Sequence, residues 1–274
     1  MTRRSFFPTA AMIPALAAGA APLKGRLKQS ATRSCFKGMP IEDAAREAAQ
    51  LGLKGLDLIG SNDWPVLKKY GLISTMAPGG GTIADGINRR ENHAKIEQQL
   101  HENVQKAHDF GLPNVITLSG NRRGMADEEG IDNSVLLLNK IKGRAEDQGV
   151  TVCLELLNSK VDHPDYHCDH TRWGVEVCKR VNSPRVKLLY DIYHMQIMEG
   201  DIIRTIRDNI QWIGHFHTAG NPGRHEIDAS QELNYRAIAQ AIVDLGYTGY
   251  FAHEYSPLRD PLKSLAEAIE ICDV

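Results

Sequence analysis

Four apolar segments of strand length in the second half of the chain each end in an acidic residue or a histidine. The four polar residues are Glu155, Asp191, His217 and Glu254. Roughly 25 to 40 residues separate each one from the next, which is room for a loop, a helix and the following parallel strand. This recurrence predicts consecutive βα units whose strands present polar side chains at their carboxyl ends.

Strand and helix patterns alternate from about Ala31 to the end of the chain, with glycine or proline at most boundaries. A closed (β/α)8 TIM barrel and an open doubly wound sheet share this local pattern. The barrel is favoured because it brings the carboxyl ends of neighbouring strands to one mouth, where the four polar residues would meet. The predicted strands span 33–37, 55–59, 71–76, 114–119, 150–158, 186–190, 213–217 and 249–254; the segment 77–88 is predicted as a glycine-rich loop.

Length and composition fit one large globular domain, and a single catalytic domain is predicted over residues 31–274. The chain has 274 residues, 42% of them hydrophobic and 24% charged, and its formal net charge is −2. This charge gives no general reason to expect nucleic acid or an anionic membrane as a partner. A small molecule is the expected partner, and a homo-oligomer is left open.

Residues 1–30 read as an export signal. Arg3 and Arg4 precede a short apolar stretch rich in small residues, as in twin-arginine signals of bacteria. Pro8, Pro14 and the shortness of this stretch argue against a membrane span, so no stable anchor is expected after processing. The prediction is a periplasmic protein; an uncleaved extension on a cytoplasmic protein is the alternative. Plausible cleavage points follow Ala18, Ala20 and Ala21.

Five cysteines are spread along the chain without a CxxC spacing. Cys153 lies inside an apolar strand pattern, which favours a small buried thiol over a reactive one. An exported protein is permitted disulfides, but the spacing does not select any pair.

The four strand-end residues suit a divalent cation. Carboxylates and one imidazole are ligands for Mn²⁺, Mg²⁺ or Zn²⁺, and a cation relieves the repulsion among the acids. For any one of these acids alone, capping a helix or pairing with an arginine is the favoured interpretation. Four residues at the same point of consecutive strands favour a metal site.

Part of this half of the chain resembles a known family. The segments LLYDIYHMQIMEGD and IGHFHTAGNPGRHE, with the His253-Glu254 pair, resemble the hydroxypyruvate isomerases, within the wider group of xylose-isomerase-like barrels. The resemblance implies that Glu155, Asp191, His217 and Glu254 bind the metal and that the two glutamates act as acid and base. It also implies substrate contacts by His194 and Arg224. Asn158, near the predicted mouth, is a weaker substrate-binding candidate.

The implied reaction is an aldehyde–ketone isomerisation through an enediolate, with hydroxypyruvate and tartronate semialdehyde as the named pair. It requires a base at one carbon and an acid at its neighbour. Mg²⁺ or Mn²⁺ is the expected ion, with Zn²⁺ or Co²⁺ possible. An epimerase acting on ketoses or keto sugars is the alternative, because a periplasmic location fits poorly with hydroxypyruvate. A non-catalytic sugar-binding protein and a metal-dependent endonuclease are less favoured: the first needs no paired glutamates, and the second would want more histidines and a basic face.

Overall fold

The computed structural model describes residues 23–274, and in this part of the chain parallel strands form a barrel surrounded by helices. The strands are β1 (Lys28–Thr32), β2 (Gly55–Asp57), β3 (Ile73–Ser74), β4 (Ala77–Gly80), β5 (Asn114–Thr117), β6 (Thr151–Glu155), β7 (Val186–Asp191), β8 (Ile213–Thr218) and β9 (Tyr250–His253). The helices are α1 (Ile41–Gln50), α2 (Trp64–Lys69), α3 (His93–Phe110), α4 (Asp127–Gln148), α5 (Thr171–Val181), α6 (Ile192–Met198), α7 (Ile202–Asn209), α8 (Tyr235–Asp244) and α9 (Pro261–Cys272).

The sheet runs in the order β3-β2-β1-β9-β8-β7-β6-β5-β4, and every pair is parallel. Its two outer strands, β3 and β4, belong to one continuous segment, 73–80. The backbone N–H of Leu58 donates to Met76 O (2.7 Å), and the side chain of Asn114 donates to Thr75 O (2.8 Å). These bonds tie the segment to both sides. It therefore fills one barrel position, and the predicted (β/α)8 TIM barrel is confirmed.

The helices form because their apolar positions recur at helical spacing and cover the barrel. On α3 the buried residues include Ile96, Leu100, Val104 and Ala107, at intervals of three and four. The helix ends at Gly111, whose φ of 71° is the left-handed conformation that glycine adopts without strain. Consecutive βα units of this kind place the loops that follow the strands on one face.

Several strands are shorter than predicted, and three larger details also differ from the sequence prediction. The first strand is Lys28–Thr32, and the predicted strand 33–37 is mostly a 3₁₀ turn, so the barrel begins before residue 31. The glycine-rich stretch predicted as a loop contains β4. A helix that was not predicted, α6, follows β7 directly, because the carboxylate of Asp191 accepts a hydrogen bond from His194 N and caps it.

In the described part of the chain, all five cysteines are buried free thiols. Between residues 23 and 274, none of the helices combines the length and apolar character needed to cross a membrane. Residues 1–22 of the predicted export segment lie outside the described residues, whereas 23–30 lie within them and include the beginning of β1.

Candidate metal centre and active site

The four strand-end residues converge at one mouth of the barrel. Glu155 and Asp191 are the last residues of β6 and β7, His217 lies near the end of β8, and Glu254 follows β9. One ligand atom from each lies within 4.8 Å of those from the other three. Glu155, Asp191 and His217 are buried, and the Glu254 side chain is 17% exposed. The barrel closure thus concentrates three carboxyl groups and one imidazole in a site largely shielded from water.

His217 links this site to the barrel interior. Its Nδ1 lies 2.9 Å from Glu254 Oε2 and 3.5 Å from Glu155 Oε1, and its Nε2 lies 3.0 Å from Asp57 Oδ2. The same oxygen of Asp57 lies 2.5 Å from His215 Nε2, and the other accepts from the hydroxyls of Ser30 and Thr75. An imidazole nitrogen that binds a metal ion carries no proton, so His217 would bind a cation as the neutral ring. Asp57 holds the proton of His217 at Nε2 and leaves Nδ1 facing the carboxylates.

The carboxyl groups differ in electrostatic environment. Burial raises the pKa of Glu155, and burial also raises the pKa of Asp191 to about 6 despite the nearby Arg224. For Glu254, burial acts in the same direction but is outweighed by His217 and Arg224, and its pKa falls to about 2. Burial lowers the pKa of His217, yet the charge of Glu254, the hydrogen bond to Asp57 and the contact with Glu155 raise that pKa well above its usual range. The site is therefore strongly polarised.

This donor set fits a divalent cation. Three carboxylates and one imidazole match the ligands of Mg²⁺, Mn²⁺ and related ions. The Nδ1 of His217 is buried without a well-formed hydrogen bond in the described structure, although two carboxylates lie beside it. The negative charges of the three carboxylates repel one another, and a cation bound by all four groups would compensate that repulsion. Glu155, Asp191, His217 and Glu254 are thus the residues that could hold it.

Arg224 reaches the same mouth from the turn after β8. Its Nη2 donates to Glu254 Oε2 (2.7 Å) and lies 3.5 Å from Asp191 Oδ2. Gly220 makes the turn possible, because a β-carbon there would lie 2.0 Å from Glu226 O. The carboxylate of Glu226 accepts from the backbone N–H groups of Leu258 and Arg259, which joins this turn to the segment after β9. The Arg224 side chain remains 29% exposed, so its guanidinium borders both the acids and solvent.

His194 and Asn158 lie beside Asp191. His194 is fully buried on the first turn of α6, with Nε2 3.6 Å from Asp191 Oδ2. Its Nδ1 lies 2.6 Å from Asn158 Nδ2. The Asn158 side chain is also fully buried and hydrogen-bonded within its own loop. The rings of His163 and Tyr193 pack against His194 at centroid distances of 5.3 and 5.1 Å.

The structure brings all seven sequence-predicted site residues to one end of the barrel. Their roles in binding and catalysis stay predictions. Sequence reasoning missed Asp57 and His215, which support His217 from below. Asp57 ends β2 just as Asp191 ends β7, but the pattern predicted a longer strand, 55–59, and so placed Asp57 in its middle. In the segment that follows Asn158, the carboxylate of Asp162 accepts hydrogen bonds from the Asn158 side chain and from the hydroxyl of Tyr193.

Comparisons with known proteins define the class. The profile of the family described as xylose isomerase-like TIM barrel matches residues 65–273, and the chain belongs to this family. Among solved structures, an AP endonuclease of family 2 from Brucella melitensis superposes with a TM-score of 0.79 at 24% identity, covering 88% of this chain and 98% of the other. A D-psicose 3-epimerase from Clostridium cellulolyticum gives 0.75 at 18% identity, covering 90% and 98%. At these identities the likeness shows the fold.

Sequence comparison with curated proteins finds relatives that are named as isomerases. A putative hydroxypyruvate isomerase of Xenopus laevis is 30% identical over 171 residues, 61% of this chain and 62% of that protein. A 2-oxo-tetronate isomerase of Cupriavidus necator is 41% identical over 106 residues, 39% of this chain and 40% of that protein. A 2-oxo-tetronate isomerase of Haemophilus influenzae is 26% identical, with coverage of 84% and 93%. The first two matches span less than two thirds of the relatives' length.

Proposed function

We propose that this protein is an isomerase that interconverts hydroxypyruvate and tartronate semialdehyde, or the corresponding forms of a similar small hydroxy-keto acid. The observation that carries the proposal is the convergence of Glu155, Glu254 and Arg224 on one buried cation-type site. The names of the curated relatives support the same class of reaction. Both compounds of the proposed pair have the same composition, so the reaction consumes no oxidant or reductant.

The two glutamates move the proton. One carboxylate removes a proton from the carbon that bears the hydroxyl group, and the carboxyl of the other glutamate gives a proton to the adjacent carbonyl carbon, while the hydroxyl proton passes to the former carbonyl oxygen. Glu155 is the last residue of β6, and Glu254 comes directly after β9. Because β7 and β8 lie between these strands, the two carboxyl groups approach the substrate from different sides of the mouth. His217 Nδ1 lies 3.5 Å from Glu155 Oε1 and 2.9 Å from Glu254 Oε2, so both carboxyl groups face the same ring nitrogen. The substrate enediolate is the species between the two transfers.

A divalent ion held by Glu155, Asp191, His217 and Glu254 would polarise the substrate carbonyl and stabilise negative charge on its oxygens. We propose Mg²⁺ or Mn²⁺, because three of the four ligands are carboxylates. The walls of the site exclude bulk water from these groups, since Asp191 and His217 have at most 1% of their surface exposed.

Arg224 supplies the specificity for an acid. One of its nitrogens is bonded to Glu254, and the remaining donors of the guanidinium fork are available to a substrate carboxylate at the solvent edge of the site. The ring of Tyr193 lies 5.6 Å from Arg224 Cζ, a cation–π distance that limits the directions in which the guanidinium can point. The substrate is therefore expected to carry its carboxylate on the Arg224 side.

A substrate panel tests the assignment. Hydroxypyruvate, 2-oxo-tetronate and uncharged ketoses are offered to the wild type and to Arg224→Ala, and isomer formation is followed by NMR. We expect turnover of the acids and, in Arg224→Ala, a KM for them at least about tenfold higher, since one charged hydrogen bond contributes roughly 1.5–3 kcal/mol. Turnover confined to uncharged ketoses, unaffected by the substitution, would instead support the epimerase alternative.

A further inference from the structure

The orientation of the Asn158 side-chain amide is fixed by its loop. Its Oδ1 accepts hydrogen bonds from the backbone N–H groups of Val161 (3.0 Å) and Asp162 (2.9 Å). A rotated amide would place its NH₂ group against two N–H donors, which are unable to accept a hydrogen bond. The Nδ2 group therefore faces away from the loop backbone, towards His194 and the carboxylate of Asp162.

This orientation determines the tautomer of His194. Asn158 Nδ2 lies 2.6 Å from Asp162 Oδ2 and 2.6 Å from His194 Nδ1, and the two hydrogens of the amide serve these two acceptors. Because Nδ1 accepts, it carries no proton. The proton of the neutral imidazole then lies on Nε2.

The Nε2 atom of His194 has no hydrogen-bond partner within the described residues, although it is buried. The nearest acidic oxygen, Asp191 Oδ2, lies 3.6 Å away, beyond hydrogen-bonding distance. Leaving a buried N–H without an acceptor is unfavourable, so most such groups in proteins are paired. The unpaired Nε2–H lies at the edge of the site where Asp191 and Arg224 also meet.

We propose that Asn158 is a positioning residue that locks His194 in the Nε2–H tautomer, so that His194 donates a hydrogen bond to a substrate oxygen bound beside Asp191. Asn158 then acts through His194 and does not contact the substrate. The inference rests on the proposed function and adds to it a neutral donor aimed at the oxygen on which negative charge develops. The guanidinium of Arg224 binds the substrate carboxylate, and the imidazole of His194 donates to the oxygen on the reacting carbon.

A purely architectural role for Asn158 makes a different prediction. The residue also organises the loop, since its backbone O accepts from His163 N (3.1 Å). A residue that only shapes the loop can be replaced by any side chain that preserves the bonds to Val161 and Asp162. A tautomer lock additionally requires that residue 158 donate a hydrogen bond to His194 Nδ1. An isosteric side chain that presents an acceptor there would abolish the lock.

The double variant Asn158→Asp/Asp162→Asn separates these roles. It keeps an oxygen for the two backbone N–H groups and reverses the hydrogen bond between positions 158 and 162, so no new pair of carboxylates is created. It presents an acceptor to His194 Nδ1, which should move the proton from Nε2 to Nδ1. Asp162→Asn alone is the matched control, because Asn158 still donates to His194.

The tautomer is read by long-range ¹H–¹⁵N NMR on the full chain with ¹⁵N-labelled histidine, at about pH 8.5, well above the ordinary histidine pKa of about 6.5. The chain has 11 histidines, and the signals lost in His194→Gln assign the ring. We expect Nε2–H in the wild type and in the control, and Nδ1–H in the double variant. A wild-type Nδ1–H tautomer would overturn the lock.

Kinetics on the Mn²⁺-loaded protein test the consequence. We expect kcat/KM for hydroxypyruvate to fall at least tenfold in the double variant and to stay within about twofold in the control, with equal Mn²⁺ affinity in all three proteins. A changed tautomer with unchanged kcat/KM would overturn the role of His194 as donor. Absence of turnover in the wild type would refute the proposed function, while the NMR spectra would still decide the lock.

Discussion

The ring of His217 contacts acidic groups with both of its nitrogens. Asp57 lies on the interior side, and Glu155 and Glu254 lie on the side of the mouth. Asp57 is fully buried, and its pKa stays below the ordinary range because His215 and His217 outweigh the effect of burial. A carboxylate behind a metal-binding imidazole sets the direction and basicity of the ring. The site is thus organised one layer deeper than the four residues proposed to bind the cation.

Replacing Asp57 by Asn tests this support. An amide offers one oxygen where the carboxylate offers two, so either the imidazoles or the hydroxyls of Ser30 and Thr75 lose their acceptor. We expect affinity for Mn²⁺ to fall by about 10- to 100-fold, measured by calorimetry on EDTA-treated protein. Ser30→Ala is the control, because it removes a single donor from the other oxygen of Asp57. Equal affinity in wild type and Asp57→Asn would show that His217 needs no such support.

Among the elements, the segment 73–80 closes the barrel by pairing with β2 through β3 and with β5 through β4. Gly79 allows this close approach, since a β-carbon there would lie 1.9 Å from Ile116 O. Main-chain atoms of β5 have little freedom to move away. Glycine in this strand therefore reflects the space available between two backbones.

Gly79→Ala should destabilise the protein by at least about 2 kcal/mol, because the backbone of β4 or β5 must shift to accept the methyl group. Gly143→Ala on α4 is the matched control, since nothing lies within 4 Å of its β-carbon position. We expect that change to stabilise by roughly 0.5–1 kcal/mol through helix propensity. Urea unfolding measures both; a stable Gly79→Ala variant would contradict the close approach.

The sequence predicted the limits of those strands in which apolar residues form a regular pattern. β7 and β8 begin at the predicted residues, and each extends one residue beyond its predicted end. The barrel mouth could be predicted because strand-end polar residues recur at regular intervals. β4 could not, because APGG has low strand propensity and its pairing depends on the space beside β5. Asp57 was missed for a related reason: β2 has only three residues, and its end is defined by tertiary contacts.

For the whole molecule, the beginning of the barrel limits where a leader can be removed. The backbone N–H groups of Lys24 and Gly25 donate to the carboxylate of Asp273, and β1 pairs with β9 from Lys28. Cleavage after Ala18, Ala20 or Ala21 would leave these contacts intact, whereas cleavage at residue 30 would cut β1. We therefore place the end of the proposed export signal before Lys24.

Replacing Arg3 and Arg4 by Lys tests the export proposal. Twin-arginine export depends on the arginine pair, so we expect the periplasmic fraction of the protein to fall by at least about tenfold in a bacterial host, with an uncleaved chain left in the cytoplasm. Fractionation and mass spectrometry measure both quantities. The same distribution of wild type and variant between periplasm and cytoplasm would support a cytoplasmic location. The fold of the barrel is expected to be the same in both proteins.

The central claim is that Glu155 and Glu254 transfer a proton within a site that requires a divalent cation. The most direct measurement is deuterium incorporation into hydroxypyruvate in D₂O, followed by NMR, with EDTA-treated protein and after addition of Mg²⁺ or Mn²⁺. We predict exchange and conversion to tartronate semialdehyde only with metal, and a loss of at least about 100-fold in Glu155→Gln and in Glu254→Gln but not in the exposed Glu102→Gln. Exchange that survives EDTA, or that persists in both glutamine variants of the site, would contradict the account.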